Sequence, residues 1–294
     1  MQHNLPQISG IYKFNFPLKN LSFFKVGGNC DILFFPQDEV DLIHFLKNKP
    51  QNLPIAVLGN ISNTLISDKG FRGCIIKLDK LNNIEFHNNY LRAGSGIKLT
   101  DLIKQSINKN LSCCESLYCI PGTLGGAIFM NAGIPGFEIA DILVSIEVLD
   151  FEGNKRIIEK DELGMSYRNG NIPKNFIITN VNLKTTPGNS EELLGKINDI
   201  RKKRIKSQPL GKATCGSTFK NPQGKKAWEL IKSANCDKLS IGGAKVSDIH
   251  CNFLINSGNA SAQDFLTLIE LIKSRVFEKT GIMLEEEIIK FGEF

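Results

Sequence analysis

The sequence predicts a fold that mixes helices and strands, of the α+β or mixed α/β class. The first observation is a series of short apolar runs bounded by turn residues, which indicates buried strands. These runs are residues 55–58, 74–78, 143–149 and 176–183. The second is apolar spacing of helical period in the segments between them, which predicts helices at residues 38–47 and 99–108. At 294 residues the chain is long enough for two or three domains.

Three helices and a closing strand are predicted in the last third of the chain. A Pro-Gly-Asn-Ser loop at residues 187–190 marks a domain boundary. Ser261 and Asp264 have the spacing of a capping box at the start of a long helix. The helices expected here cover residues 191–206, residues 227–234 and a segment that begins at residue 262.

The chain is predicted to end on a strand at residues 282–291. Side chains alternate across a strand, so Glu285 and Glu287 are expected on one face and Glu286 on the other. The basic run at residues 201–204 is interpreted as the solvated face of the helix predicted at residues 191–206 rather than as a phosphate patch.

Composition and charge limit the class of protein. The net charge of +6 suits an anionic ligand but falls short of the dense basic face of a nucleic-acid binder. The start of the chain lacks the apolar core of a signal peptide, and no apolar run reaches the roughly 18 residues that span a bilayer. We therefore expect a cytoplasmic protein without nucleic-acid or membrane partners.

The eight cysteines are interpreted as small buried residues of a reducing compartment, because the chain has no Cys-x-x-Cys pair. Cys113, Cys114 and Cys119 leave a redox or metal cluster open, but no histidine accompanies them. We therefore predict no metal site.

Two glycine-rich segments are the strongest candidates for a binding site. They are Leu-Gly-Asn-Ile-Ser-Asn-Thr-Leu at residues 58–65 and Ile-Pro-Gly-Thr-Leu-Gly-Gly-Ala-Ile-Phe-Met-Asn-Ala-Gly at residues 120–133. Such segments let the backbone approach a diphosphate and offer it N–H groups. Neither is a Rossmann fingerprint or a P-loop. A nucleotide or dinucleotide cofactor and plain tight turns both remain open on spacing alone.

Two groups of polar residues lie after the glycine-rich segments in the sequence. Tyr167-Arg168 lies in a polar loop before a predicted strand, and Gly-Ser-Thr-Phe-Lys-Asn-Pro at residues 216–222 is expected to form a bend. The bend is not Gly-x-Ser-x-Gly, so a hydrolase nucleophile elbow has little support. His250 is interpreted as a structural hydrogen-bonding residue.

In their order along the chain, these segments resemble the UDP-N-acetylenolpyruvoylglucosamine reductase family. The resemblance covers residues 21–292 and includes Tyr167-Arg168. Its other six segments are residues 24–28 (FKVGG), 58–73, 120–127 (IPGTLGGA) with 131–133 (NAG), 216–217 (GS) with 219–222 (FKNP), 250–253 (HCNF) and 284–288 (LEEEI). Any one of these motifs is weak, whereas seven in this order are highly specific. The length resembles the shorter class of the family.

The resemblance implies an α+β protein with a two-part FAD-binding region of the vanillyl-alcohol-oxidase (PCMH) type and an α+β substrate-binding C-terminal domain. The expected domains are residues 1–78, 79–188 and 189–294. It also implies a monomer that binds FAD noncovalently and uses NADPH to reduce the enolpyruvyl group of a UDP-sugar during peptidoglycan precursor synthesis. The flavin would deliver hydride to C3 of that group.

The resemblance also implies roles for individual residues. Ser217 would donate the proton to C2, while Arg168 and Glu287 would flank the substrate carboxylate. Tyr167, Lys220 and Asn221 would hold the substrate. The expected cofactor-binding residues are Gly59, Asn60, Ser62, Asn63, Pro121, Gly122, Thr123, Gly125, Gly126, Ala127, Asn131 and Gly133.

These residue types suit the implied chemistry. Hydride addition beside a carboxylate builds negative charge, which an always-protonated arginine can offset in place. Serine is a poor acid in water, so its use as a proton donor requires tight placement.

The chain departs from the family pattern at four positions. Ile61 and Cys119 replace common glycines, and Ile61 is costly if its backbone needs a positive φ. Gly170 replaces a serine, and Glu286 replaces a proline. Two alternatives therefore remain: another flavin oxidoreductase of the same superfamily, and a nucleotide-binding relative without catalysis.

Overall fold

The computed structural model describes residues 4–294 and contains both helices and strands throughout. The strands are β1 Ile11–Pro17, β2 Asn29–Phe35, β3 Ile55–Val57, β4 Thr64–Ile66, β5 Phe71–Ile76, β6 Ile84–Phe86, β7 Tyr90–Gly94, β8 Leu111–Ser112, β9 Gly133–Ile134, β10 Phe137–Glu138, β11 Leu143–Asp150, β12 Lys155–Glu159, β13 Phe176–Lys184, β14 Thr186–Pro187, β15 Ser240–Ile241, β16 Ala244–Val246, β17 Leu254–Asn256 and β18 Ile289–Phe291. The helices are α1 Glu39–Asn48, α2 Leu99–Asn108, α3 Leu124–Phe129, α4 Lys160–Leu163, α5 Ser190–Ser207, α6 Ala227–Ser233 and α7 Ala262–Thr280.

The chain forms two compact units, and each is built from three separate stretches of the sequence. The first unit comprises residues 4–14 together with Ile32–Asn60 and Gly73–Arg201. The second comprises Asn15–Asp31, Ile61–Arg72 and Lys202–Phe294. The three-domain division expected from the sequence stays a prediction.

The largest sheet of the first unit has five strands in the order β12-β11-β13-β7-β6, all of them antiparallel. Helix α2 packs on it because Leu99, Leu102, Ile103 and Ile107 all lie on its buried face. A second sheet, in the order β1-β2-β5-β3, pairs β3 with β5 in parallel. Asp38 caps α1 by accepting a hydrogen bond from the Asp41 N–H group at 2.8 Å.

An ion-pair cluster lies on the five-stranded sheet. Glu147 of β11 is only 7% exposed. It accepts hydrogen bonds from Arg92 of β7, at 2.5 Å and 2.9 Å, and its Oε2 lies 2.8 Å from Nζ of Lys155 of β12. The hydrogen bond from Arg92 is the largest cause that lowers the pKa of Glu147, from 4.5 to about 2, and it outweighs the opposing effect of burial.

This cluster predicts acid sensitivity. Because the folded pKa of Glu147 is depressed, its stabilisation is complete above about pH 5 and is lost as the pH falls toward 2. We expect a loss of about 1–3 kcal/mol in the free energy of unfolding over that window, since water screens part of the interaction. Glu147→Gln should lose this pH dependence and Glu278→Gln, at an exposed helical position, should keep it, as measured by urea unfolding. Equal acid sensitivity in both variants would contradict the assignment.

The core of the second unit forms between helices and a small sheet. Helices α6 and α7 pack with the sheet β15-β16-β17. Phe24 packs against Phe265 of α7 with the rings tilted by 39° and their centroids 4.2 Å apart. In the same unit β4 pairs in parallel with β18. The capping box predicted for α7 is confirmed, because Ser261 Oγ accepts the Asp264 N–H group at 3.0 Å and Asp264 accepts that of Ser261 at 2.9 Å.

The other predicted elements agree with the structure within a few residues, with one exception. Regular strand in the last segment is limited to Ile289–Phe291, so the prediction of a strand over residues 282–291 is wrong in its extent. Residues 282–288 have a single bridge, from Glu286 to Phe219. The alternation nevertheless holds, because Leu284 and Ile288 are buried while Met283 is exposed. Within residues 4–294, no helix has the length and apolarity needed to cross a bilayer.

Candidate active site

The first glycine-rich segment begins in the first unit directly after β3. The carbonyl group of Gly59 accepts a hydrogen bond from Nζ of Lys77, a lysine that is only 4% exposed. Burial lowers the pKa of Lys77, and an ion pair with Asp79 at 3.2 Å opposes that effect. A Cβ atom at Gly59 would lie 2.7 Å from Oγ1 of Thr123, so this position needs glycine. Asn60, the next residue, is half-buried.

The second glycine-rich segment forms the start of α3 in the same unit. The Thr123 side chain caps this helix by accepting the Gly126 N–H group at 3.4 Å. The Gly125 N–H group donates to the carbonyl of Ser95 at 2.8 Å, and a Cβ atom at Gly125 would lie 2.9 Å from that of Ser95. The Ser95 hydroxyl is buried and has no hydrogen-bond partner among residues 4–294. Pro121 is exposed, Gly122 and Gly126 are half-buried and Ala127 is buried.

Asn131 connects three parts of the first unit. Its side chain donates to Glu138 at 2.7 Å and to the carbonyl of Ser166 at 3.0 Å, and it accepts from the Ala140 N–H group at 3.2 Å. The residue is 1% exposed, and its φ of 42° lies in the left-handed region that asparagine tolerates. Asn131 therefore fixes the backbone that leads to Gly133.

Arg168 occupies a tight turn whose ends, Ser166 and Asn169, exchange two backbone hydrogen bonds of 2.9 Å. Its φ of 57° is unusual for a residue with a long side chain. The guanidinium group donates to the carbonyl of Gly133 at 3.0 Å and lies 4.7 Å from the ring of Tyr167. Strained backbone of this kind is often retained at functional sites.

Gly170 shows how this chain accommodates its departure from the family pattern. A Cβ atom at this position would lie 2.1 Å from the carbonyl oxygen of Ile128 and 2.8 Å from that of Phe129. The Gly170 N–H group donates to the Phe129 carbonyl at 2.9 Å. The turn that carries Arg168 therefore packs against the end of α3 more closely than a serine would allow.

The remainder of the first glycine-rich segment belongs to the second unit. Ile61 has a φ of 52° and is 3% exposed, which confirms that a β-branched residue holds a costly conformation here. Asn63 donates through Nδ2 to the carbonyl of Glu287 at 3.0 Å, and its own carbonyl accepts the Ile289 N–H group at 2.9 Å. Ser62 is half-buried.

Ser217 and Glu287 lie on neighbouring segments of the second unit. The Glu287 N–H group donates to the carbonyl of Thr218 at 2.8 Å, and the Lys220 N–H group donates to the carbonyl of Glu285 at 2.8 Å. On the other side, Ser217 forms a bridge with Phe253. Residues 217–220 are thus bonded to two segments, and the bend expected from the sequence is confirmed at Gly216 and Thr218. Ser217 and Glu287 are both half-buried.

The two residues expected to hold the substrate in this unit have partners within the chain. Lys220 forms an ion pair with Glu285, and its side chain is 22% exposed. Asn221 accepts the Ala227 N–H group through Oδ1 at 3.0 Å, at the start of α6. Glu286, which replaces a proline of the family pattern, lies 3.1 Å from Lys273 and 3.0 Å from Lys290. These ion pairs hold the segment that leads to Glu287.

Sequence reasoning gave Asn252 no role, although this residue contacts the segment that contains Ser217. Asn252 is 4% exposed and its side chain is bonded to the backbone of Phe219. The sequence signal for Asn252 is its place in the His-Cys-Asn-Phe motif at residues 250–253, next to His250. That histidine accepts the Asn252 N–H group at 3.3 Å, and burial lowers its pKa.

Thr218 provides a stability prediction. Its side chain is fully buried, and its hydroxyl has no hydrogen-bond partner within the described chain. Thr218→Val replaces that hydroxyl by a methyl group of similar shape and should raise the free energy of unfolding by about 1 kcal/mol. Urea unfolding measures the change. A loss of stability of similar size would show that the hydroxyl has a partner in solution.

Comparison with known proteins gives the class first. Residues 30–157 match the family model described as an FAD binding domain, and this range includes both glycine-rich segments. Residues 208–291 match the model described as the C-terminal domain of UDP-N-acetylenolpyruvoylglucosamine reductase, and this range includes Ser217 and Glu287. The fold and its domains are therefore those of an FAD-dependent oxidoreductase.

The relatives then give the family. The chain is 44% identical over 289 residues to the UDP-N-acetylenolpyruvoylglucosamine reductase of Rickettsia massiliae, covering 98% of both chains. It is 45% identical over 291 residues to that of Rickettsia typhi, covering 99% of both. The crystal structure of the reductase from Thermus caldophilus superposes with a TM-score of 0.83 at 31% identity, over 97% of this chain and 100% of the other. The chain belongs to the UDP-N-acetylenolpyruvoylglucosamine reductase family.

Proposed function

We propose that this chain reduces UDP-N-acetylglucosamine enolpyruvate to UDP-N-acetylmuramate with NADPH, through bound FAD, in peptidoglycan precursor synthesis. The observation that carries this proposal is the pairing of the segments of Ser217 and Glu287 by backbone hydrogen bonds. A hydroxyl and a carboxylate on adjacent paired segments suit protonation of a carbon next to a substrate carboxylate.

The residues present fit a flavin dinucleotide. Glycine at positions 59 and 125 lets the backbone pack against Thr123 and Ser95, where a Cβ atom would lie 2.7 Å and 2.9 Å from the nearest atom. The contact between Gly59 and Thr123 brings the two glycine-rich segments together, and such segments can offer backbone N–H groups to a diphosphate. The unpartnered hydroxyl of Ser95 beside Gly125 would gain a partner from a polar ligand. We propose that FAD is held noncovalently by Gly59, Asn60, Ser62, Asn63, Pro121, Gly122, Thr123, Gly125, Gly126, Ala127, Asn131 and Gly133. When bound, FAD would take hydride from NADPH and pass it to C3 of the enolpyruvyl group.

Side chains of the protein would donate the proton to the substrate and stabilise the negative charge that develops on it. We propose that Ser217 donates a proton to C2 of the substrate and that Glu287 relays a replacement proton to Ser217. The guanidinium group of Arg168 would offset the negative charge that develops next to the substrate carboxylate. Tyr167, Lys220 and Asn221 would orient the sugar nucleotide. The substrate thus gains one hydride and one proton.

The same proposal covers the assembly, the location and the domain roles of the protein. We propose that the enzyme acts as a monomer in the cytoplasm, without nucleic-acid or membrane partners. We also propose that residues 1–78 and 79–188 hold the cofactor and that residues 189–294 bind the substrate. Residues 1–3 lie outside the described part of the chain.

One spectroscopic experiment tests the reaction. The purified protein, incubated with FAD, should be yellow, lose its visible absorption on anaerobic addition of NADPH and regain it on addition of the enolpyruvyl sugar nucleotide. Bleaching by NADPH without recovery on this substrate would favour another oxidoreductase of the superfamily. A protein that stays colourless after incubation with FAD would favour a non-catalytic relative.

A further inference from the structure

Asn252 makes three hydrogen bonds to the two residues that follow Ser217. Its Oδ1 accepts the Phe219 N–H group at 3.0 Å, and its Nδ2 donates to the Phe219 carbonyl at 2.9 Å. Its own backbone carbonyl accepts the Thr218 N–H group at 2.8 Å. The bonds are buried, because Asn252 is 4% and Phe219 is 1% exposed.

This bonding pattern requires a short side chain that carries both a hydrogen-bond acceptor and a donor. The side chain must accept from one backbone group and donate to another of the same residue, which neither an ionised carboxylate nor an aliphatic side chain can do. The next residue, Phe253, forms the bridge with Ser217 itself. On the opposite side, the carbonyl of Thr218 accepts the Glu287 N–H group. The Ser217 segment is therefore fixed against residues 252–253 while it is paired with Glu287.

We infer that Asn252 is a positioning residue, which holds the Ser217 hydroxyl in register with Glu287 for proton delivery to the substrate. The inference rests on the proposed function and deepens it. The side chain of Asn252 is bonded to the segment assigned to protonation, so its loss should slow reoxidation of the flavin by the substrate. Reduction of the flavin by NADPH should be unaffected, because no proton from Ser217 is needed in that step.

Asn252→Asp tests the inference, because its effect on flavin reoxidation should depend on pH. The introduced carboxyl group, when protonated, can accept from the Phe219 N–H group and donate to the Phe219 carbonyl, as the amide does. When ionised, it places negative charge against that carbonyl. Burial favours the protonated form, so the variant should approach wild-type behaviour at low pH and fail as the pH rises. The nearby titratable groups, His250, Lys220 and Glu285, are present in both the parent and Asn252→Asp. Their effects therefore cancel when the reoxidation rate of the variant is divided by that of the parent at each pH.

Stopped-flow absorption measures the two half-reactions separately. At the alkaline end we expect Asn252→Asp to slow flavin reoxidation by the substrate about 10²-fold, the cost of misplacing a reacting group by about 1 Å. Flavin reduction by NADPH should change by less than about twofold. Asn252→Ser introduces no charge and should slow reoxidation at all pH values. This second variant tests the inference even if the aspartate variant unfolds when it is ionised.

Asn256→Asp is the matched control. Asn256 also donates through its side chain to a backbone carbonyl of the second unit, that of Phe24 at 2.9 Å, and it accepts from Gly258 and Ala260. This variant should lower the melting temperature without a selective effect on reoxidation. Equal slowing of both half-reactions in the Asn252 variants, or parental reoxidation at every pH, would overturn the inference. Failure of the wild-type protein to be reoxidised by this substrate would instead overturn the proposed function.

Discussion

Replacement of Ser217 by alanine is expected to slow reoxidation of the reduced flavin by the enolpyruvyl sugar nucleotide by about 10²–10⁴-fold, the usual contribution of a placed proton donor. The backbone of residues 217–220 is fixed by hydrogen bonds to Asn252, Glu285 and Glu287, none of which uses the Ser217 hydroxyl. The substitution should therefore leave the fold, the yellow colour and the reduction by NADPH intact. Single-turnover absorption at the flavin wavelength measures the effect.

Thr218→Val is the control for Ser217→Ala, because it removes a hydroxyl one residue away that is buried and has no partner in the described chain. The reduced flavin of Thr218→Val should be reoxidised by the sugar nucleotide at close to the parental rate. A parental rate in Ser217→Ala as well would show that the proton reaches C2 from another group. A solvent isotope effect on reoxidation that is present in the parent and altered in Ser217→Ala would support the assignment.

The elements that the sequence predicts well are those whose signals are local. Helix α2 was predicted at residues 99–108, and its limits are those of the structure, because its apolar face repeats at helical spacing. The cap of α7 followed from Ser261 and Asp264 alone. Both features depend on residues close together in the chain.

The elements that the sequence does not predict depend on partners far along the chain. The carboxamide of Asn252 is bonded to Phe219, 33 residues away, and Asn63 is bonded to the carbonyl of Glu287, 224 residues away. No periodicity marks such pairs. The extent of the last strand is misjudged for the same reason, since residues 282–288 have strand-like alternation but only one bridging partner, Phe219.

The departures from the family pattern have different physical consequences in the structure. Ile61 keeps a positive φ of 52°, so the chain bears the strain that a glycine would avoid. Gly170 has the opposite effect, because the missing side chain lets the Arg168 turn approach the end of α3. The family resemblance identified these positions, but only their backbone geometry distinguishes strain from closer packing.

Arg168→Lys is expected to lower kcat/KM for the enolpyruvyl sugar nucleotide by about 10²–10³-fold, a loss typical of removing one donor that stabilises developing charge. Lysine keeps the charge but loses the planar fork that bonds two oxygens at once. It also loses the hydrogen bond to the Gly133 carbonyl, which holds the arginine side chain beside the second glycine-rich segment. Steady-state kinetics with varied sugar nucleotide measures the change.

Arg156→Lys is the matched control, because Arg156 is exposed and pairs only at the surface, with Glu162 at 2.7 Å. It should leave kcat/KM within about twofold of the parent. A structural role for Arg168 predicts a lower melting temperature and slower flavin reduction, whereas the proposed electrostatic role predicts neither. In Arg168→Ala, added guanidinium ion should restore part of the lost rate only if the missing group acts through its charge and its N–H donors. Unchanged kcat/KM in Arg168→Lys would show that the guanidinium group is not needed for the reaction and that the strained backbone serves only the structure of the turn.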